Sequence, residues 1–302
     1  MRRTLKTSAI ALAAIFVVAA CGGGAGTGAP AATQPAATGA TSTKPKLDLS
    51  SYAYAIQTKG KLRVGTRESN VPFGLKNPAT NKFEGFDIDV AREIAKAIFG
   101  DVADIDQFIE YVPVVSATRI PTLQENKADL VIATFTINED RKKQIDFSDV
   151  YFRTGQKVLV KKSDNSIKEL KDLAGKTVCT ARGSTSERNL LALSPAPKVL
   201  TLDDYPPCLL AMKNGQADAV STDETILFGL IKQDPDTKLV GQYFSDEPYG
   251  IGVKKNTGDR TGFVDLINRT LISMVQDGRW ARIYKQWITP VSGDEKKSPD
   301  QR

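Results

Sequence analysis

Strand and helix signals alternate along most of this chain, and that alternation constrains its fold more than any other feature. The run KLRVGT at 61–66 is typical of a strand. The segment FDIDVAREIAKAIFG at 86–100 carries apolar residues at helical spacing and ends in Gly100, a residue type that commonly terminates helices. Further strand signals occur at 108–114, 129–134, 157–162, 176–180 and 217–222. This order predicts an α/β chain with open, mostly parallel sheets covered by helices.

Helix signals fill several of the gaps between those strands. Ser116 is placed to cap a helix that runs to about residue 126, and Asn138 is placed to cap a short helix. The segments 202–215 and 262–278 are also helical in pattern, the second of them amphipathic.

Two segments resemble each other and point to a site. NKADLVIAT at 126–134 and NGQADAVST at 214–222 each combine a helix end, a tight turn and a buried strand that stops in polar residues. Junctions of this kind are common in α/β proteins, so the likeness alone does not establish a repeat. Open α/β sheets bind ligands beyond the carboxyl ends of their strands. Thr134, Thr136 and Asp223 therefore fall where a ligand is expected.

The N-terminus predicts export. Three basic residues precede an apolar run that is too short to span a bilayer, which is the pattern of a signal peptide over 1–20. The ending VAAC resembles a bacterial lipobox, in which Cys21 receives a lipid; the alternative is an ordinary signal peptide followed by a chance cysteine. Residues 21–46 are rich in Gly, Ala, Thr and Pro and predict a flexible tether.

Composition excludes several classes of function. The 302-residue chain contains no histidine, which excludes a Ser-His-Asp or Cys-His catalytic machine and any His-ligated metal site. The formal charge of +6 includes three basic residues of the signal peptide, aromatic residues are only 7%, and no basic stripe interleaves with them, so nucleic-acid binding is not expected. We predict no cofactor and no metal.

The other two cysteines, Cys179 and Cys208, form an even pair in an exported chain. Such a pair predicts a disulfide, with two separate buried thiols as the alternative.

Several segments together resemble the family 3 extracellular solute-binding proteins, the polar amino acid receptors of ABC importers. They are IATFTINEDRKKQIDFSDVYF, DLAGKTVCTARGST, NGQADAVSTDETIL, EPYGIGVKK and DGRWARIYKQW, in the family's order within about 60–290. The resemblance implies a periplasmic-binding-protein-like α/β fold with two lobes joined by a two-strand hinge. Lobe 1 would comprise 47–152 and 250–290, and lobe 2 would comprise 153–249, before a polar tail at 291–302. The crossover strands would lie near 151–154 and 247–249.

The resemblance also implies roles for individual residues. An α-carboxylate would be held by Arg141 with Thr134 and Thr136, because a guanidinium matches a carboxylate with two parallel hydrogen bonds. Asp223 would accept a hydrogen bond from the α-ammonium, and the loop residues Ser184 and Thr185 would contact the ligand. The alternatives are a solvated helix face for Arg141, a helix N-cap for Asp223 and a solvated position for the neighbouring Arg182.

The side-chain end of the ligand would be read by a second group. GTRESNVPF at 65–73 resembles the glutamate- and aspartate-binding branch, in which Arg67 meets a side-chain carboxylate, with Ser116 and Arg119 beside it; a surface position is the alternative for Arg119. Three arginines against Asp223 give a site of +2, which favours an acidic amino acid. Glutamine or another polar amino acid is the alternative ligand.

The expected protein is a monomeric lipoprotein that binds an amino acid outside the cytoplasm, on the cell membrane or in a periplasm, and delivers it to the ABC permease. A sensor that signals to a receptor is one rival. An enzyme is the other, since a few relatives with this fold dehydrate small cyclic acids; no acid/base pair beyond the binding set is recognisable here, so we do not expect catalysis.

Overall fold

The computed structural model describes residues 44–300. The predicted signal peptide, the predicted lipid attachment at Cys21 and most of the predicted tether lie outside the described residues. Within 44–300, no helix is both long enough and apolar enough to cross a membrane.

Helices and strands alternate through the described residues. The α-helices are α1 Tyr52–Lys59, α2 Phe86–Phe99, α3 Arg119–Gln124, α4 Glu139–Lys142, α5 Thr185–Leu191, α6 Tyr205–Lys213, α7 Glu224–Gln233, α8 Phe263–Gln276, α9 Arg279–Trp287 and α10 Thr289–Ser292. The strands are β1 Leu62–Thr66, β2 Ser69–Asn70, β3 Gly74–Lys76, β4 Phe83–Glu84, β5 Ile109–Pro113, β6 Leu130–Val131, β7 Ile145–Phe147, β8 Phe152–Thr154, β9 Gln156–Lys161, β10 Thr177–Ala181, β11 Lys198–Leu202, β12 Ala219–Asp223, β13 Thr237–Val240, β14 Glu247–Tyr249 and β15 Gly252–Lys254.

The strands form two five-stranded sheets of the same design. The first has the order β5-β1-β6-β15-β7 and the second β11-β10-β12-β9-β13. In each sheet the first three strands are parallel, and the fourth is antiparallel to both of its neighbours. Strands β6 and β12, which belong to the two similar sequence segments, occupy the same third place.

The chain crosses between the sheets twice. It leaves the first sheet after β7 and returns to it through β15, and the connecting strands β8 and β14 pair with each other in antiparallel fashion. Aromatic rings pack around this crossing: Phe152 stacks on Tyr249, with ring centroids 5.6 Å apart, and Phe73 meets both rings edge-on.

Helix α2 shows how the apolar spacing predicted from the sequence buries one face of a helix. Its apolar residues recur on one face and are fully buried, including Ile88, Ile94 and Ile98. The helix ends at Gly100, which has a φ of 94°, in the region that favours glycine. Burial of a face of this kind against a sheet stabilises a helix far more than its intrinsic propensity does.

One predicted helix start is wrong. Helix α3 begins at Arg119 rather than near Ser116, because residues 115–118 form a turn. In this turn Thr118 N–H donates to the carbonyl of Val115 (3.1 Å), and Val115 N–H donates to the Thr118 hydroxyl (3.0 Å). Ser116 therefore does not cap the helix, and its hydroxyl is used elsewhere. Asn138 does cap α4, since its side chain accepts a hydrogen bond from Arg141 N–H at 3.0 Å.

The structure contains the predicted disulfide. Cys179 in β10 and Cys208 in α6 are bonded, with their Cα atoms 5.4 Å apart and both side chains buried. The bond fixes the first turn of α6 against β10, the second strand of the second sheet.

Candidate functional site

Polar side chains that follow the parallel strands of both sheets meet in one buried cluster. All nine predicted ligand-binding residues are buried, and none of them is more than 8% exposed. These residues are Arg67, Ser116, Arg119, Thr134, Thr136, Arg141, Ser184, Thr185 and Asp223. The burial of Arg119 and Arg141 disagrees with the solvated positions considered for them, whereas Arg182 is exposed.

Arg67 follows β1 and is 1% exposed. Its guanidinium donates to the hydroxyls of Ser116 (2.6 Å) and Thr134 (3.3 Å) and to the carboxylate of Asp204 (2.8 Å). Asp204 comes from the second sheet, where it follows β11 and stands at the N-cap of α6. The arginine that we predicted to meet a ligand carboxylate therefore already has a carboxylate partner within the protein.

Arg119 and Arg141 contact carbonyl groups rather than carboxylates. Arg119 donates to the carbonyls of Ala133 (3.1 Å) and Thr134 (2.9 Å), and Arg141 donates to that of Thr136 (2.6 Å). Both guanidinium groups lie over the Phe135 ring, at 4.2 Å and 4.9 Å from its centroid.

The charges of these two arginines are poorly compensated. Neither forms an ion pair with any residue of the described range 44–300. Burial, together with the nearby charges of Arg141 and Arg67, lowers the pKa of Arg119 well below its usual value. Burial lowers the pKa of Arg141 to about 10. An anion placed here would relieve both arginines.

Asp223 ends β12 and is also buried. Its Oδ2 accepts a hydrogen bond from the Tyr249 hydroxyl at 2.5 Å, while its Oδ1 has no partner among the described residues. It occupies the N-cap position of α7, but its side chain makes no capping hydrogen bond. Burial first, and the charge of Glu247 second, raise the pKa of Asp223 to about 7. A cationic donor that reached Oδ1 would satisfy the oxygen and stabilise the carboxylate.

Glu247, on the crossover strand β14, joins the two sides of the cluster. Thr136 and Thr185 donate to its Oε2 at 2.6 Å and 2.7 Å, and Asn189 and Ser245 donate to its Oε1 at 3.1 Å and 2.6 Å. Thr136 follows β6 of the first sheet, whereas Thr185 begins α5 beside the second. One buried carboxylate thus links residues from both sheets.

The loop before α5 approaches the first sheet closely. A side chain at Gly183 would come within 2.8 Å of the Ala117 backbone, so only glycine fits there. Ser184 is the N-cap of α5 and accepts from Glu187 N–H at 3.0 Å. Its hydroxyl is therefore engaged by its own helix, and the loop reaches the cluster through Thr185.

Three carboxylates of this cluster were missed in the sequence. Asp204 follows a strand as Asp223 does, so the rule of strand carboxyl ends was a usable signal for it. Asp87 reads only as an acidic residue in the first turn of α2, and Glu247 only as a charge within a short strand. With all four acids counted against Arg67, Arg119 and Arg141, the positive balance that favoured an acidic ligand is absent.

Comparison with known proteins identifies close relatives. The sequence model for bacterial extracellular solute-binding proteins, family 3, matches residues 62–290. The chain is 39% identical over 289 residues to the ABC transporter glutamine-binding protein GlnH of Bacillus subtilis, which covers 95% of this chain and 98% of that protein. It is 49% identical over 204 residues to a glutamine-binding protein of Geobacillus stearothermophilus, covering 67% and 76%. The glutamate-binding protein GluB of Corynebacterium glutamicum is 35% identical over 231 residues, covering 74% and 77%.

A solved structure gives the same result. An ancestral arginine-binding protein bound to glutamine superposes with a TM-score of 0.68 at 42% identity, covering 76% of this chain and 97% of that one. These matches confirm the predicted periplasmic-binding-protein-like α/β fold. They also confirm the prediction that the chain is not an enzyme, since the relatives are solute-binding proteins.

Proposed function

This chain belongs to the family 3 bacterial extracellular solute-binding proteins, and from that premise we propose that it is the amino-acid-binding component of an ABC importer, with glutamine as its ligand. The ligand would be captured outside the cytoplasm and passed to the permease of the importer. The observation that carries the proposal is the buried pair Arg119 and Arg141, without a carboxylate partner in the described residues, close to the unpartnered Oδ1 of Asp223.

These groups match the two charges common to all α-amino acids. Arg141 would bind the α-carboxylate with help from Arg119, and Asp223 would accept a hydrogen bond from the α-ammonium. The charge of Asp223 acts on both arginines and partly offsets the lowering of their pKa by burial, so the three groups lie within electrostatic range of one another. The assignment of Thr134, Thr136, Ser184 and Thr185 to the ligand belongs to the same proposal.

Glutamine is better supported than glutamate or aspartate as the ligand. The two glutamine-binding relatives are 39% and 49% identical to the chain, against 35% for the glutamate-binding protein. In addition, the Arg67–Asp204 ion pair removes the free positive charge that an acidic side chain would need. An acidic amino acid remains the second candidate because of the glutamate-binding relative.

Binding would be accompanied by closure of two lobes, comprising 47–152 with 250–290 and 153–249. The bond of Glu247 to Thr136 and that of Asp204 to Arg67 join residues of opposite lobes and would exist only when the lobes are closed. A ligand that contacts both lobes favours the closed state by its differential affinity for it. Attachment to the membrane through a lipid on Cys21 and a monomeric state complete the proposal, and both derive from the sequence.

A thermal-shift screen of the purified protein against the twenty amino acids tests this function. A ligand that binds only the folded state, at about 100 times its dissociation constant, adds roughly 2.7 kcal/mol to the free energy of unfolding. We expect the largest rise in melting temperature with glutamine. If no amino acid raises the melting temperature, amino acid binding is wrong.

A further inference from the structure

Asp204 contacts Arg67 in the site, although the recognition of an α-carboxylate and an α-ammonium does not require this aspartate. Its Oδ1 accepts from Arg67 at 2.8 Å, and its Oδ2 accepts from the hydroxyl of Ser69. Arg67 follows β1 of the first sheet and Ser69 begins β2, whereas Asp204 lies between β11 of the second sheet and α6. The ring of Tyr205 covers the Arg67 guanidinium, with 5.2 Å between the ring centroid and Arg67 Cζ.

The bonds of Arg67 leave part of its donor capacity unused. A guanidinium has five N–H groups, of which Nε carries one and each terminal nitrogen carries two. One group on each nitrogen is engaged, by Thr134, Asp204 and Ser116 respectively. Each terminal nitrogen therefore keeps one N–H for a ligand acceptor, while the net charge of the guanidinium is balanced by Asp204.

An arginine N–H beside an aspartate oxygen is complementary to a primary carboxamide. A carboxamide presents a carbonyl oxygen that accepts and an NH₂ group that donates. A carboxylate only accepts, so it would gain the Arg67 donors but would lie beside the like charge of Asp204. The pair thus offers a reason for selectivity that Arg67 alone does not.

We propose that Asp204 is a specificity-determining residue, which makes the Arg67 end of the site select a side-chain carboxamide over a carboxylate. The inference rests on the proposed binding of an amino acid. It assigns to Asp204 the discrimination between glutamine and glutamate, two ligands of nearly equal size that share every α-carbon group.

Asp204 also has a structural task, which the test must separate from selectivity. It is the N-cap of α6 and accepts from Tyr205 N–H at 2.9 Å. Asparagine and serine are both good N-cap residues, so Asp204→Asn and Asp204→Ser remove the charge and keep a capping acceptor. Asp203→Asn is the matched control, since the adjacent aspartate has an 86% exposed side chain and lies 3.7 Å from the exposed Arg182.

The experiment is calorimetric titration of the wild-type protein and the three variants with glutamine and with glutamate. We expect the ratio of the glutamate to the glutamine dissociation constant to fall by about tenfold or more in Asp204→Asn, and in Asp204→Ser if the first variant does not fold. Asp203→Asn should keep the wild-type ratio. A loss of the cap alone would weaken both ligands together and leave the ratio unchanged.

The outcomes distinguish this inference from the proposed function. If the wild-type protein prefers glutamine and the folded Asp204 variants keep its ratio, the role of Asp204 is wrong and the function stands. If the wild-type protein prefers glutamate, Asp204 does not impose carboxamide selection. If no amino acid binds, both the proposed function and this inference are wrong.

Discussion

The carboxylate of Asp87 accepts a hydrogen bond from the backbone N–H of Thr134 at 3.0 Å. Thr134 has a φ of 46°, a conformation that β-branched residues rarely adopt. The other oxygen of Asp87 accepts from the Tyr151 hydroxyl at 2.8 Å. This contact holds Thr134 where its hydroxyl meets Arg67 and its carbonyl meets Arg119, so a buried acid at the start of α2 positions two arginines of the site.

Asp87→Ala should therefore destabilise the protein and weaken ligand binding. The substitution leaves a buried N–H without its acceptor, which costs about 1–3 kcal/mol of the free energy of unfolding. Denaturant unfolding measures the loss. Asp101→Ala is the control, because the side chain of Asp101 is 87% exposed, and it should leave stability unchanged. An Asp87→Ala protein as stable as the wild type would contradict the positioning role.

Arg141→Lys should reduce glutamine affinity while the fold is retained. A lysine keeps the charge but cannot form two parallel hydrogen bonds with a carboxylate. Hydrogen bonds to charged groups contribute about 1.5–3 kcal/mol, so we expect a loss of roughly 10- to 100-fold in affinity. Arg188→Lys, an exposed arginine near the same loop, is the matched control. Equal loss in both variants would argue against a carboxylate site at Arg141.

Glutamine affinity should fall as the pH is lowered from 8 to 5. Asp223 has a pKa raised to about 7, and it faces Glu247, Tyr249, Arg119 and Arg67. Its protonated form cannot pair with the ligand ammonium as a carboxylate does, so acid competes with the ligand. Titration calorimetry across this range measures the change, and Asp223→Asn should abolish most of it. A flat profile in the wild-type protein would contradict the ammonium contact.

The free energy of unfolding of the ligand-free protein should show the opposite dependence on pH, because of Asp223 together with Asp87. The folded pKa values of Asp87 and Asp223, about 6 and 7, lie above their ordinary value of 3.8. The folded state then binds more protons than the unfolded state, so the contribution of these two acids is present below pH 4 and is lost as the pH rises through 6 and 7. Replacing both acids with asparagine should flatten this part of the pH profile of the free energy of unfolding.

The disulfide between Cys179 and Cys208 should contribute directly to stability. It closes a separation of 29 positions, which corresponds to roughly 3–4 kcal/mol in the chain-entropy description. We expect a reductant, or the double replacement of Cys179 and Cys208 with alanine, to lower the free energy of unfolding by about that amount. A protein whose unfolding is indifferent to both changes would contradict this contribution.

The sequence predicted local structure and the polarity of the site better than it predicted the balance of charge. Strand ends and the family resemblance pointed to nine polar residues, and the structure buries all nine. Strand carboxyl ends meet at one edge of a sheet, which is why this rule was usable. The Arg67–Asp204 pair joins residues 137 positions apart, and no periodicity reports a contact of that range. The turn at 115–118, which moved the start of α3 away from Ser116, is by contrast local, because its hydrogen bonds join Val115 and Thr118, three residues apart.

The missed carboxylates also explain why the sequence favoured an acidic ligand. A charge balance is a sum over spatial neighbours. Asp87 and Glu247 were not recognisable as neighbours of the arginines from their sequence contexts, and Asp204, although it follows a strand, was not counted. Counting only Asp223 made the site look cationic and favoured an acidic ligand. The structure places three further acids near the arginines and so removes the excess positive charge. This agrees with the relatives that are named for binding glutamine.

Isothermal titration of the wild-type protein with glutamine and with glutamate, at pH 8 and at equal ionic strength, tests the central claim most directly. We predict one glutamine site per chain, with an affinity for glutamine that exceeds that for glutamate by about tenfold or more. Tighter binding of glutamate, or no heat of binding with either amino acid, would contradict the account.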